Sequence, residues 1–340
     1  MTIFFRILLA FLAILVLLYL IGPRPEKPIL SSELKDLKVS INNLESFIQD
    51  RESKQPVKPD NQARIVWAND SMKSKTPYCL LYLHGFSASW YEGTPTHLNF
   101  AHHFQANAYL PRLASHGLDM PEPLQDMTPD RLYESAKEAL QIAHLLGEKV
   151  IIMSTSTGGT LSLKLAAEFP GMVDALILLS PNIRINNPGA WLLAGPWGLQ
   201  IGRKASGGKY RVVNDNPAHE ECKHWNCSYR VEAMVYLQQL VKNTMHKKLF
   251  QRISQPVFLG YYYQDEEHQD EIVRVDAMLK MYEQLGTPSA LKRKQAFNAQ
   301  AHVIGCEAFS KAQPEVEQAC IQFATEVLKM QAVSLPIAEE

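Results

Sequence analysis

The chain carries almost no excess charge of either sign: 34 basic residues stand against 35 acidic ones, a formal net charge of −1 at pH 7. With no basic field and no basic cluster, the electrostatic footprint of a nucleic-acid-binding protein is missing. Cysteine is scarce as well. Five cysteines in 340 residues, an odd number, do not make a disulfide scaffold. There is no internal repeat and no low-complexity tract. Long apolar runs are missing everywhere but at the start. Residues 3–22 are apolar apart from Arg6, and Ile7 to Gly22 carries no charge at all. That is close to the roughly 20 residues a bilayer helix needs, and the Arg6 side chain can reach back to the headgroups. A cleaved signal peptide is the alternative, but Ile21-Gly22-Pro23-Arg24-Pro25 offers no Ala-x-Ala-like site, and no lipidation cysteine follows. The segment therefore reads as an uncleaved single-pass anchor. Arg6 and the amino terminus nearly balance Arg24 and Lys27; the reading adopted puts the N-terminus inside and the rest of the chain on the non-cytoplasmic (periplasmic) side.

What is present is a large apolar fraction, 46%, enough for a substantial core. Residues 1–28 form the anchor and a stiff spacer, Pro23–Pro28. In 29–62, Leu34, Leu37, Ile41, Leu44 and Ile48 recur at helical spacing, which predicts an amphipathic helix over 32–49 packed on the main domain or near the membrane surface. The polar stretch 51–62, with Pro56 and Pro59, reads as a linker. A globular domain is expected over 63–330, and 331–340 as a frayed tail.

Within that domain, strands are predicted at Arg64–Trp67, Tyr78–Leu83, Asn107–Leu110, Val150–Met153, Ala175–Leu179, Pro256–Tyr263 and Leu291–Phe297. Helices are expected over 130–146, capped by Thr128 or Asp130, and at Thr160–Phe169, Arg274–Leu285 and Pro314–Met330. Strands alternating with helices predict an α/β fold with a mostly parallel sheet. Residues 182–254 break the rhythm. They are rich in Asn, Gly and Trp (Trp191, Trp197, Trp225) and read as a cap insertion. Cys222 and Cys227 lie there with His219 and His224 near by, leaving three readings: a metal site, a short-loop disulfide in an oxidising compartment, or free thiols.

The chain is organised around Lys149–Thr160, where the apolar run Val150–Met153 stops at Ser-Thr-Ser-Thr-Gly-Gly and a helix follows. Strand, tight turn and helix is the setting of a nucleophile elbow, with Ser156 at the apex and Ser154, Gly158 and Gly159 leaving room for it. The same turn could cradle a phosphate. Upstream, Leu83-His84-Gly85-Phe86 follows an apolar strand, where the backbone N–H of Phe86 could face a developing oxyanion; the N–H of Thr157 would supply the second donor. His84 reads as a structural histidine of that loop, and His97, His102 and His103 as packing or surface residues.

A serine hydroxyl needs a base as it attacks, and the base needs an orienting carboxylate. His302, after the last predicted strand, fits the base. The acid falls to Asp265 or Asp270, both in the loop after Pro256–Tyr263. Asp270 is preferred because Asp270-Glu271-Ile272-Val273 carries an apolar residue that can seat the loop, whereas Asp265 has only polar neighbours. Ser156, Asp270 and His302 in that order resemble the α/β-hydrolase superfamily, and most nearly its capped carboxylesterase and monoacylglycerol-lipase-like serine hydrolases. The resemblance covers about 63–330 and rests on Leu83–Phe86, Ser154–Gly159, Asp270–Val273 and Ala301-His302-Val303. Ser154 and Ala301 stand where the pattern usually has Gly. The resemblance implies an α/β-hydrolase fold and cleavage of short- or medium-chain esters or monoacylglycerols through an acyl-enzyme, with a cap shaping the acyl pocket and no cofactor. The same triad could serve a peptidase, thioesterase or acyltransferase, and a non-catalytic membrane-tethered binding module is the reading from another class.

Overall fold

The computed structural model describes residues 3–216 and 218–332, so the expected tail lies, from 333 on, outside the described residues. The chain runs α1 (Ile3–Leu20), α2 (Leu44–Ser53), β1 (Arg64–Val66), β2 (Thr76–Leu83), α3 (Thr96–His103), β3 (Asn107–Leu110), α4 (Pro129–Leu146) and β4 (Gly147–Thr155). Then come α5 (Thr157–Glu168), β5 (Ala175–Leu179), α6 (Gly198–Ala205), β6 (Tyr210–Val212), α7 (Glu220–His224), β7 (Ser228–Arg230), α8 (Val231–Thr244) and α9 (Lys247–Phe250). The last elements are β8 (Val257–Tyr262), α10 (Val275–Gln284), β9 (Lys292–Phe297) and α11 (Gln313–Glu326).

Seven strands make one sheet in the order β1-β3-β2-β4-β5-β8-β9. All neighbours are parallel except β1, which pairs antiparallel with β3 at the edge. The central strands are buried on both faces, so they read as continuous apolar runs, yet the side chains still alternate. Leu81, Leu83, Val150, Ile152, Leu176, Leu178, Val257 and Leu259 pack on one side with α4, α5, α8 and α10. Leu80, Tyr82, Ile151, Met153, Ile177, Leu179 and Phe258 pack on the other with α3 and α11. Each such side chain contributes about 1.5–3 kcal/mol by leaving water. Because β4, β8 and β9 run parallel, the loops after them open at the same edge.

Between β5 and β8 the chain leaves the sheet and builds the cap from α6 to α9 and the antiparallel pair β6–β7. Cys222 and Cys227 are joined by a disulfide there, Cα–Cα 5.4 Å, which takes both thiols out of the metal and free-thiol readings.

Two features of residues 20–62 differ from the sequence reading. The helix expected over 32–49 lies at Leu44–Ser53, after a 3-10 turn at Ile41–Asn43, and Leu44 and Ile48 are the residues it buries. Residues 31–35 form no helix; the buried Lys137 of α4, besides pairing with Glu134 at 2.6 Å, donates its Nζ to the carbonyls of Ser31 and Glu33, and the Gln141 amide donates to Lys35 O at 2.8 Å. Thr128 caps α4 by accepting from Arg131 N, which frees the Asp130 carboxylate to accept the amides of Ile29 and Leu30 at 2.9 and 2.5 Å. The second difference is that Pro23–Pro28 is bound rather than free. Trp197 N donates to Pro23 O at 2.8 Å, and the Gln239 amide donates to Glu26 O. The stretch 51–62 also braces the cap. Lys58 Nζ donates to Cys222 O and Trp225 O at 3.1 and 3.0 Å, and Asn61 donates to Lys223 O at 2.7 Å.

Candidate active site

Ser156 links β4 to α5 with φ 55° and ψ −117°, a conformation a non-glycine residue adopts only when its surroundings hold it there. Its carbonyl accepts from Gly159 N at 2.9 Å and from Asn182 N at 2.8 Å, while its own N–H donates to Leu179 O at 3.1 Å. The turn works because the first turn of α5 presses against β2. A Cβ at Gly158 would lie 1.9 Å from Leu83 O, so only glycine fits. Ser154, in place of the usual glycine, is fully buried beneath the turn.

Asp270 and His302 meet from the loops after β8 and β9. Asp270 is 1% exposed, and its Oδ1 accepts from the amides of Ile272 and Val273 at 2.9 and 3.0 Å. Its Oδ2 accepts from His302 Nδ1 at 2.7 Å. Burial alone would raise the Asp270 carboxyl, but His302 and the two amides leave it below its ordinary value. Burial pulls the His302 imidazole down; the Asp270 carboxylate more than reverses this, so its net position is above the ordinary histidine value. With Nδ1–H spent on Asp270, Nε2 carries the lone pair; it is buried with no hydrogen-bond partner among the described residues. Asp265 sits elsewhere, half exposed, accepting from His268 Nδ1 and from the amides of Glu267 and His268.

The loop after β2 brings in the remaining expected residues. The amides of Phe86 and Thr157 have no acceptor among the described residues. Phe86 stacks edge-on against Tyr229 of β7, ring centres 5.0 Å apart, and Asn226 N of the cap donates to Ser87 O at 2.8 Å. His84 is buried; its Nδ1 donates to Gly85 O at 3.0 Å and its Nε2 accepts from Leu113 N at 3.1 Å. Burial, with His116 next to it, holds it well below its ordinary value, so it is a neutral strut. His97 is buried and bonded to Trp90 O at 2.9 Å, while His102 and His103 end α3 at the periphery.

One residue at the site escaped the sequence reading. Glu92, 2% exposed, accepts the Gly85 N–H at 2.5 Å, and a Cβ at Gly85 would lie 2.7 Å from Glu92 Oε1 and 3.0 Å from Ser156 Cβ. Its signal was a lone acid in Trp90-Tyr91-Glu92-Gly93, a segment whose other members are aromatic or small.

The fold is shared with known proteins. A sequence profile of the α/β hydrolase fold matches residues 78–230. A metagenome-derived lipolytic enzyme of the LipS and LipT pair has a TM-score of 0.61 at 16% identity, covering 78% of this chain and 98% of its own. The monoacylglycerol lipase of Paleococcus ferrophilus gives 0.55 at 13% identity, covering 77% and 96%. A thermophilic esterase from Thermogutta terrifontis gives 0.54 at 16%, covering 78% and 94%. No curated protein matches the chain in sequence. The chain is an α/β-hydrolase-fold protein. The three solved structures named above are lipolytic or esterolytic enzymes, and this chain carries an apolar helix, α1, at its N-terminus.

Proposed function

We propose that this protein is a membrane-anchored serine esterase that cleaves carboxylic esters of short or medium acyl chain, or monoacylglycerols, through an acyl-enzyme. The observation that carries the reading is the 2.7 Å hydrogen bond between His302 Nδ1 and Asp270, at the sheet edge where Ser156 tops its strained turn. Asp270 fixes the imidazole tautomer, so Nε2 of His302 takes the Ser156 hydroxyl proton as Oγ attacks the ester carbonyl. The N–H groups of Phe86 and Thr157, together with the positive end of α5, receive the negative charge that forms on the carbonyl oxygen. Collapse of the tetrahedral species expels the alcohol, protonated by His302, and leaves an acyl group on Ser156. Water, activated by His302, then releases the acid.

The anchor reading rests on α1, 18 residues of mean hydropathy 2.8 with none buried. The Cys222–Cys227 disulfide supports a catalytic domain on the oxidising, non-cytoplasmic side. The large cleft of about 1020 Å³ between Lys58–Asp60 and the disulfide hairpin contains none of the proposed catalytic residues in its walls.

A fluorophosphonate should label Ser156 stoichiometrically in the full chain, and aryl esters graded by acyl length should be hydrolysed with a preference at short to medium chains. Labelling that persists in Ser156→Ala but vanishes in Ser154→Ala would overturn the assignment.

A further inference from the structure

Glu92 is the one acid at the site that the triad does not use. It sits on the 3-10 turn Trp90–Gly93, with one carboxyl oxygen on the Gly85 amide. The turn is wedged tightly. A Cβ at Gly93 would meet the Tyr82 ring at 2.5 Å and His97 Cδ2 at 2.9 Å, and the Glu92 side chain beside it is 2% exposed. The groups coupled to it by charge are Tyr82 from β2 and His302 and Cys306 from the loop after β9, while His97 of α3 lies against the next residue, Gly93. Tyr82 and Cys306 are neutral at physiological pH, both raised by burial. His97, pushed by burial to about 3, is neutral too. The cation coupled to Glu92 is therefore the imidazolium of His302.

We propose that Glu92 is a positioning residue of the hydrolytic site. Its carboxylate holds the Gly85 amide, and through it the neighbouring Phe86 N–H, in place, and its charge favours the His302 imidazolium that forms as the proton leaves Ser156. The proposal rests on the serine hydrolase reading. Burial supports it by pushing the Glu92 carboxyl up to about 7, with the Gly85 amide and His302 pulling the other way. Glu92 and His302 are coupled by charge, and their protons belong to the pair rather than to either residue. The working form has Glu92 ionised and His302 neutral, so both protons must leave as pH rises.

The test is Glu92→Gln in the full chain. The amide oxygen of Gln can still accept the Gly85 N–H, whereas the charge and the titration are gone. The acid limb of log kcat/KM should approach a two-proton slope in the wild type and a one-proton slope in Glu92→Gln, displaced to lower pH. At pH 8 kcat should fall about 10- to 100-fold, below the cost of deleting an oxyanion donor, with KM little changed. Independently of turnover, the His302 imidazole titration followed by NMR should move to lower pH in the variant. An unchanged NMR midpoint, or a rate loss equal at every pH with the limb's slope unaltered, would overturn the proposal. Should Glu92→Gln not fold, Glu92→Asp decides instead. Its shorter arm releases Gly85 but keeps the charge, so the two-proton limb should survive with a lower kcat, and an unaltered kcat would overturn the proposal. A wild type inert to fluorophosphonate would sink the hydrolase reading alone, since the NMR titration still decides the coupling of Glu92 to His302.

Discussion

At the C-terminal edge of the sheet, Ser156, Asp270 and His302 arrive from three loops, and Asp270 and His302 are joined side chain to side chain. Along residues 20–40 the arrangement is inverted: the arm offers its backbone, and Lys137, Gln141, Asp130 and Gln239 of the domain reach out to take it. The first region is built from short spans next to strands, where parallel neighbours set the position of every loop. The second has no ladder of its own and lies where it does because buried or half-buried polar groups on α4 and α8 need partners. Damage to the first should therefore register in rate with folding intact, and damage to the second in stability with rate intact.

The largest effect should come from Ser156→Ala. Removing a triad nucleophile costs on the order of 10⁴–10⁶ in kcat, and the thermal midpoint should stay within a few degrees, because the hydroxyl is not a packing group. Next comes Asp270→Asn, with a loss of about 10⁴ in kcat. Asp270 raises the His302 imidazole, so the acid limb of kcat/KM, lost on protonation of His302, should move to lower pH in any Asp270→Asn activity that remains. Asp265→Asn should change kcat little, since that carboxylate holds only His268 and the Glu267 amide at the surface. A severe loss confined to Asp265→Asn would reverse the assignment.

The arm supplies the smaller effects. Lys137→Met keeps the buried stem but leaves the carbonyls of Ser31 and Glu33 without their donor and Glu134 without its partner at 2.6 Å. Losing such a partner costs about 1–3 kcal/mol, which denaturant unfolding would register, while turnover of a water-soluble ester should hold near wild type. Truncation draws the finest line. Removing residues 1–20 should give a soluble protein with near-normal turnover. Removing 1–30 should in addition lower the unfolding midpoint, because Pro23 and Glu26 are bound by Trp197 and Gln239, and the Ile29 and Leu30 amides by Asp130. Equal midpoints for the two truncations would show that the arm contributes nothing to the cap.

The legibility of the sequence follows the same division. The central strands could be read because burial on both faces writes apolar runs, and the elbow because a tight strand-to-helix turn demands small residues at Ser154, Gly158 and Gly159. The preference for Asp270 over Asp265 drew on Val273 and on the polar neighbours of Asp265, and in the structure Val273 is buried with its amide on the Asp270 carboxylate. The arm could not be read that way. The spacing of Leu34, Leu37 and Ile41 suits a helix, but what decides the backbone there is Lys137, a residue about a hundred positions away. Nothing local to 31–35 announces that its carbonyls will be claimed. Glu92 was missed for a related reason: its importance comes from what Gly85 and His302 place around it, and a single acid in a sequence has no pattern.

The sheet ends in β9 on one side and in β1 on the other, and both ends matter under the proposed anchoring by α1 at a membrane. Tethering confines copies to a plane, where their local concentration is high and their orientations are shared. An open strand edge under those conditions is a template for joining a neighbour's strand. Here β9 begins Lys292-Arg293-Lys294, three adjacent positive charges, and its four central residues lie in solvent. Two copies approaching edge to edge would bring those charges face to face before any backbone bond could form. At the far edge β1 is only three residues long, antiparallel to its neighbour and in contact with α2. The sheet can thus be crowded at a surface without being extended from molecule to molecule.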